Sequence, residues 1–150
     1  MKIVDRILGV LAFLAISMAD PAAAQNDPIG RVKTVRGRAV VLHDGASTPA
    51  NPGDPVHATD VIETGADGTI GITLVDNTVL SAGPNSQLAL EEYRFDSSDF
   101  TGAMVADVRK GTLAVVSGDI ARSSPGAMKV RTPTAILGVR GTRFAVKVSG

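Results

Sequence analysis

The fold of this chain is decided by the stretch VRTPTAILGVRGTRFAV, residues 130–146. Pro133 fixes its own φ angle and favours an extended conformation at Thr132. Gly138 and Gly141 permit tight backbone geometry or the close approach of a neighbouring strand. The stretch contains no nucleophile–base pair and no metal-ligand cluster. It therefore predicts a rigid β-corner that packs a small all-β module.

Arg140 has two interpretations, because it stands between the apolar Val139 and Gly141. Its planar guanidinium suits a partner's carboxylate, but it also suits an internal strut that pairs with an aspartate or with carbonyl oxygens at a corner. We favour the strut, which predicts that Arg140→Ala destabilises the domain. The strand that follows is expected to be half-buried, with Thr142 and Phe144 on one face and basic residues on the other.

Upstream of this stretch, short apolar runs alternate with Gly, Pro, Asn and Asp, which is typical of many short strands. Residues 69–75 alternate clearly and predict a strand, and residues 38–43 predict another with Val40 and Leu42 on one face. Residues 46–55 are expected to be a loop because they contain three prolines. No long helical period appears. The expected fold is all-β: a single domain of short antiparallel strands and hairpins, in a solenoid-like or sandwich arrangement.

Three segments predict where strands bend or end. Residues 87–95 carry leucines on one parity and then aromatic residues on the other, which predicts a bulge or an edge exposed on both sides. Gly111 is expected to end the apolar run before it. Residues 118–126 are expected to form a turn and a loop.

The N-terminus has the three parts of a secretory signal peptide. Lys2 and Arg6 supply positive charge, residues 7–19 are mainly apolar, and the small residues up to Ala24 suit cleavage. The alternative is a membrane anchor, but a spanning helix needs about 20 apolar residues and this run is shorter. We expect a periplasmic or secreted mature chain without a transmembrane segment. Its divisions are a signal peptide (1–24), a polar lead-in (25–28) and one β domain (29–150).

Charge and composition exclude several functions. The chain has 15 basic and 15 acidic residues, and this zero balance argues against nucleic-acid binding. Aromatic residues make up 3% and tryptophan is absent, so a carbohydrate or base-stacking platform is not expected. Acidic residues crowd the middle of the chain and basic residues its ends. This indicates either a basic patch for an anionic partner or pairing between strands, and we favour pairing.

The residue types that perform catalysis or bind metals form no recognisable pattern. His43 and His57 are the only histidines and have no ligand spacing, and cysteine is absent, so we expect no metal site. Serines lack a nucleophile-elbow context, and Glu91 and Glu92 point to opposite faces of a strand, so we expect neither an enzyme nor a cofactor. Four aspartates are interpreted as turn residues rather than calcium ligands: Asp67, Asp76, Asp96 and Asp99.

Several short segments gain weight from their order and spacing. They are Gly53-Asp54, Val61-Ile62-Glu63-Thr64-Gly65, Asp76-Asn77-Thr78, Arg109-Lys110-Gly111, and the closing VRTPTA and VRGTRF. Over nearly all of residues 30–148 the chain thereby resembles FecR-type domains, the periplasmic module named for a regulator of iron uptake. It departs from the family at Asn77, where the family often has glycine. The signature positions, structural or partner-contacting, are Thr132, Pro133, Gly138, Arg140, Gly141, Thr142 and Phe144.

The resemblance implies an all-β domain outside the cytoplasm. In the best-known relatives the domain helps to relay a signal from an outer-membrane receptor to a cytoplasmic sigma factor. We expect this chain to have neither their cytoplasmic N-terminal domain nor a retained membrane helix, and therefore not to carry a signal across the inner membrane alone. We expect a non-catalytic module that binds another envelope protein, in envelope signalling or iron-uptake-type regulation. The alternative is a structural, envelope-associated or self-associating β domain.

Overall fold

The computed structural model of the chain describes residues 27–141 and 143–149. The signal-peptide prediction for residues 1–24 and the signature residue Thr142 lie outside the described residues. The elements of the described part are β1 (Gly30–Arg36), β2 (Ala39–His43), β3 (Ala46–Pro49), β4 (Pro55–Val56), β5 (Val61–Thr64), β6 (Thr69–Leu74), β7 (Val79–Ala82), β8 (Gln87–Asp96), β9 (Thr101–Val116), α1 (Asp119–Ser123), β10 (Met128–Arg131), β11 (Ile136–Val139) and β12 (Arg143–Val148).

These strands form one sheet that curls like half a barrel around the core. Its main path runs β3-β2-β5-β8-β9-β7-β6-β1-β4. Strands β10 and β12 also pair with β9, and β11 pairs with β10. The all-β class is confirmed, whereas the solenoid-like or sandwich arrangement is not. The prediction of short antiparallel strands was wrong for β9, which has 16 residues, and for β10, which pairs with β9 in parallel.

Strand β9 is long because Gly111 bends it instead of ending it, contrary to the sequence prediction. The first part of β9 pairs with β8, and residues from Gly111 onward pair with β7 and β12. Gly111 has a φ angle of +86°, and a Cβ atom there would overlap Ser86. Glycine is therefore required where the strand exchanges one set of partners for another.

One other strand prediction was also wrong. Residues 46–55 contain β3 and the start of β4 as well as a loop, and Pro49 is tolerated because it ends β3, an outer strand of the sheet path. The strand predicted over residues 38–43 is present as β2, with Val40 and Leu42 on one half-buried face. The opposite face carries the buried residues Ala39 and Val41.

Several predictions are confirmed by the same elements. The alternating face of β6 is buried at Ile70, Ile72 and Leu74. A register shift between Leu90 and Glu92 gives β8 the bulge that its change of parity predicted.

The segment after β9 is a crossover, where the sequence predicted a turn and a loop. Helix α1 buries Ile120 and Ala121 completely and leads into β10. Parallel neighbours cannot be joined by a tight hairpin, so a connection of this kind is needed between β9 and β10. The helix thereby positions the C-terminal hairpin.

The buried carboxylate of Asp76 holds this crossover to the sheet. Its Oδ1 accepts hydrogen bonds from the Thr78 backbone N–H (3.2 Å) and the Tyr93 hydroxyl (2.9 Å). Its Oδ2 accepts them from the Thr78 hydroxyl (2.7 Å) and the Ile120 N–H (3.3 Å). Asp76 lies in a turn, as predicted, but it also joins the β6–β7 turn, β8 and the start of α1. Burial of the Tyr93 hydroxyl, with the Asp76 charge beside it, raises the pKa of Tyr93 well above its ordinary value.

Candidate functional site

The signature stretch forms the hairpin β10–β11, whose four-residue turn is closed by Thr132. The Thr132 N–H donates to the Ala135 carbonyl at 2.8 Å, and the Ala135 N–H donates to Thr132 Oγ1 at 3.0 Å. Pro133 occupies the exposed tip of the turn, between these partners. A hydroxyl that satisfies the turn's own N–H groups makes the hairpin rigid without any tertiary contact at its tip.

Strand β11 presents apolar side chains to solvent. Ile136 is 66% exposed and Leu137 is 39% exposed, whereas Val139 at the end of the strand is buried. A Cβ atom added to Gly138 would meet no atom within 4 Å. Within the described residues β11 pairs with β10 alone, so its other edge is open. We call this feature, comprising Ile136, Leu137, Gly138 and the open side of β11, the β11 edge.

The remaining signature residues that the structure describes follow β11 in the chain. Gly141 has a φ angle of +54°, which explains a glycine there. Phe144 is half-buried against the core. Arg140 is exposed, and its guanidinium forms no ion pair with the residues that the structure describes. Neither interpretation of Arg140, as an internal strut or as a contact residue, is decided by this arrangement, and both stay predictions.

One ion pair supports the prediction that basic and acidic strands pair. Arg131 of β10 contacts Glu91 of β8 at 2.7 Å. Lys129, which lies opposite Gly138 on β10, is exposed and has no such partner in the described part of the chain. Part of the basic charge is neutralised within the fold, and Lys129 and Arg140 leave the β11 edge flanked by positive charge.

The structure also brings the two histidines, His43 and His57, together with Asp60, although their spacing in the sequence predicted no such cluster. His43 ends β2, while His57 and Asp60 bracket the short loop between β4 and β5. His43 Nδ1 lies 2.5 Å from Asp60 Oδ1, and His57 Nδ1 lies 3.7 Å from Asp60 Oδ2. We call these three residues the histidine cluster. The spacing of the histidines gave no signal because pairing of β2 with β5 creates their proximity.

Asp60 is the fixed member of the histidine cluster. Its side chain is 1% exposed, and its Oδ2 accepts the His57 backbone N–H at 2.8 Å. The hydrogen bond to this carboxylate, together with its charge, raises the pKa of His43 above the ordinary value. Both histidines line a cleft of about 670 Å³ that Tyr93 and Phe95 also border.

The fold and the hairpin define an all-β module with an exposed, apolar strand edge. Residues 60–150 match the family model described as FecR protein. The chain belongs to the FecR protein family, which is envelope-associated, regulates signalling and is not known for enzymatic activity. Neither the curated proteins nor the solved structures gave a match.

The match begins at Asp60 and includes the whole C-terminal hairpin. It leaves out β1 to β4, and with them both histidines. No helix within residues 27–141 and 143–149 has the length and apolarity needed to cross a bilayer.

Proposed function

We propose that this protein is a non-catalytic binding module in envelope signalling or iron-uptake-type regulation, and that it binds an extended segment of another envelope protein along the β11 edge. The observation that carries the proposal is the pair of exposed apolar side chains, Ile136 and Leu137, on a strand whose outer side is open. Open strand edges bind extended peptides through main-chain hydrogen bonds, and their side chains supply specificity.

The residues around the β11 edge indicate which kinds of side chain the partner segment carries. Gly138 leaves open space, so a partner backbone can approach closely. Lys129 lies opposite Gly138 on β10 and Arg140 directly follows β11, and both are exposed, which favours a segment that combines apolar residues with carboxylates. In this role Arg140 is a contact residue, the alternative to the strut.

The proposal includes the cellular location. Residues 1–24 act as a signal peptide that is cleaved near Ala24, and residues 29–150 form the single domain that reaches the periplasm or the exterior. Membership of an envelope-associated family supports this location. Cell fractionation followed by N-terminal sequencing of the mature protein tests it, and an intact N-terminus in the cytoplasmic fraction would contradict it.

The binding test compares two exposed apolar positions. Ile136→Asp places a charge on the β11 edge, and Val75→Asp places one on a residue that is also exposed but lies after β6. The wild type and the Val75 variant should capture the same envelope protein from a periplasmic extract, and the Ile136 variant should lose it. Equal capture by all three proteins would refute the β11 edge as the binding surface.

In the alternative, structural function, the β11 edge binds a second copy of the chain instead of another envelope protein. Self-association through β11 predicts a concentration-dependent mass in light scattering that Ile136→Asp abolishes. A monomer at all concentrations, together with capture of a partner, favours the binding module.

A further inference from the structure

The histidine cluster carries an inference that is independent of the β11 edge. We propose that His43, His57 and Asp60 bind one transition-metal dication of the zinc class, with a coordination position left open to the neighbouring cleft. The candidate ligand atoms, one from each residue, all lie within 4.8 Å of one another. The FecR match begins at Asp60, so two of the three candidate ligands, His43 and His57, lie outside it.

The distances within the cluster lie on both sides of those in a tetrahedral site: the ligand atoms are within 4.8 Å of one another, and the two histidines contact different oxygens of Asp60. Bonds of about 2.0–2.2 Å place the ligand atoms of a tetrahedral zinc site about 3.3–3.6 Å apart. The 3.7 Å between His57 Nδ1 and Asp60 Oδ2 is already close to this separation. The 2.5 Å between His43 Nδ1 and Asp60 Oδ1 is a hydrogen bond that must lengthen. The His43 side chain is 41% exposed, so its ring has room to move outward.

The loop that carries His57 and Asp60 is held in place by hydrogen bonds of its backbone. The His57 N–H donates to Asp60 Oδ2 at 2.8 Å, which fixes the loop between these two residues. Two backbone hydrogen bonds attach the same loop to Leu90 of β8. The Thr59 N–H donates to the Leu90 carbonyl at 2.7 Å, and the Leu90 N–H donates to the Asp60 carbonyl at 2.9 Å. Only His43 comes from a different part of the chain. Preorganised ligands on a rigid support lower the cost of binding.

A neighbouring carboxylate completes the arrangement around His43. When His43 Nδ1 is the ligand, its other nitrogen, Nε2, lies 3.4 Å from Asp44 Oδ2. Histidines that bind metals usually donate their second ring N–H to a carboxylate, a carbonyl or water, which fixes the tautomer and strengthens the ligand. Asp44 is therefore a positioning residue rather than a ligand.

The donor types select the class of metal. Two imidazole nitrogens and one carboxylate favour zinc and its neighbours over calcium or magnesium, which prefer oxygen ligands. Three protein ligands leave a fourth tetrahedral position for water or for a donor from another molecule. The clefts of about 670 Å³ and 390 Å³, which both border His43 and His57, give an ion access to the site.

The test is a calorimetric titration of the full chain, produced without a histidine tag, with Zn²⁺ and separately with Ca²⁺. Because the chain has two histidines and no cysteine, imidazole-dependent binding in this protein has to come from this site. We expect one Zn²⁺ per chain and at least tenfold weaker binding of Ca²⁺. His57→Gln should weaken Zn²⁺ binding at least tenfold, and Asp44→Asn should weaken it about 10–100-fold through its effect on His43.

Controls separate a site from general attraction to acidic groups. Asp99→Asn removes an exposed carboxylate in a distant turn and should leave Zn²⁺ binding unchanged. Circular dichroism confirms that each variant is folded, and His43→Gln repeats the test from the exposed side of the cluster. Absence of Zn²⁺ binding, equal binding of Ca²⁺, or binding that survives both histidine substitutions would overturn the proposal and leave the cluster as a hydrogen-bonded brace.

Discussion

The strongest stability prediction concerns the buried carboxylate of Asp76. Asp76→Ala removes the acceptor of four hydrogen bonds, which come from Thr78, Tyr93 and Ile120. Asp76 is fully buried, so water does not replace the lost acceptor without entering the core. The donors left behind include two backbone N–H groups, one in the turn after β6 and one in α1.

The size of the effect follows from those donors. A buried donor without a partner costs about 1–3 kcal/mol, but removing the carboxylate also removes its own desolvation penalty. Breaking a buried charged network at one member typically costs about 3–5 kcal/mol, and we expect a loss in this range. A domain of this size has roughly 5–15 kcal/mol of stability in total. The variant should therefore fold weakly, with its largest losses in the crossover between β9 and β10.

The chain provides a matched control in a second Asp-x-Thr turn. Asp99 Oδ1 accepts the Thr101 N–H at 3.0 Å and the Thr101 hydroxyl at 2.6 Å, the same two donors that Thr78 offers to the two oxygens of Asp76, but Asp99 is exposed. Asp99→Ala should cost no more than about 1 kcal/mol, because water replaces the lost acceptor. Both variants are measured by urea denaturation with far-ultraviolet circular dichroism, since the chain has no tryptophan. Similar losses for the two variants would refute the reasoning that burial decides the cost.

Three further predictions rest on single residues. The pKa of Tyr93 is raised in the folded state, so the contribution of this residue to stability is complete below the ordinary pKa of about 10 and falls as the pH rises above that value. In urea titrations between pH 9 and 11, Tyr93→Phe should therefore lose less stability than the wild type does. The substitution also leaves Asp76 with one hydrogen-bond partner fewer. Gly111→Ala should lower the free energy of unfolding by about 2–4 kcal/mol, because the backbone there is left-handed and the added Cβ atom overlaps Ser86. Gly53 also has a positive φ angle but lies in open space, so Gly53→Ala should lower it by only about 1–2 kcal/mol in the same assay. Arg140→Ala should leave the melting temperature unchanged in calorimetry and weaken partner capture, and a large drop in melting temperature would restore the strut interpretation.

The local sequence determined the elements whose pattern is set by near neighbours. The alternation from Thr69 to Leu74 has a single apolar parity, so it predicted both the strand and its buried face. The change of parity within β8 predicted a bulge or an edge exposed on both sides, and the register shift between Leu90 and Glu92 shows that the bulge is present. The closing stretch predicted the family because its proline, glycines and hydroxyls constrain their own backbone.

Tertiary structure decided what depends on residues far apart in the chain. Glycine at position 111 suggested a break from sequence alone, yet the strand continues because partners on both sides accept its bend. The sequence indicated only that Asp76 lies in a turn, and its hydrogen bond with the Ile120 N–H of α1 is a contact between residues far apart in the chain. His43 lies close to His57 and Asp60 because β2 pairs with β5. Backbone preferences act over a few residues and are visible in the sequence. Burial and ligand proximity arise from contacts that sequence spacing does not encode.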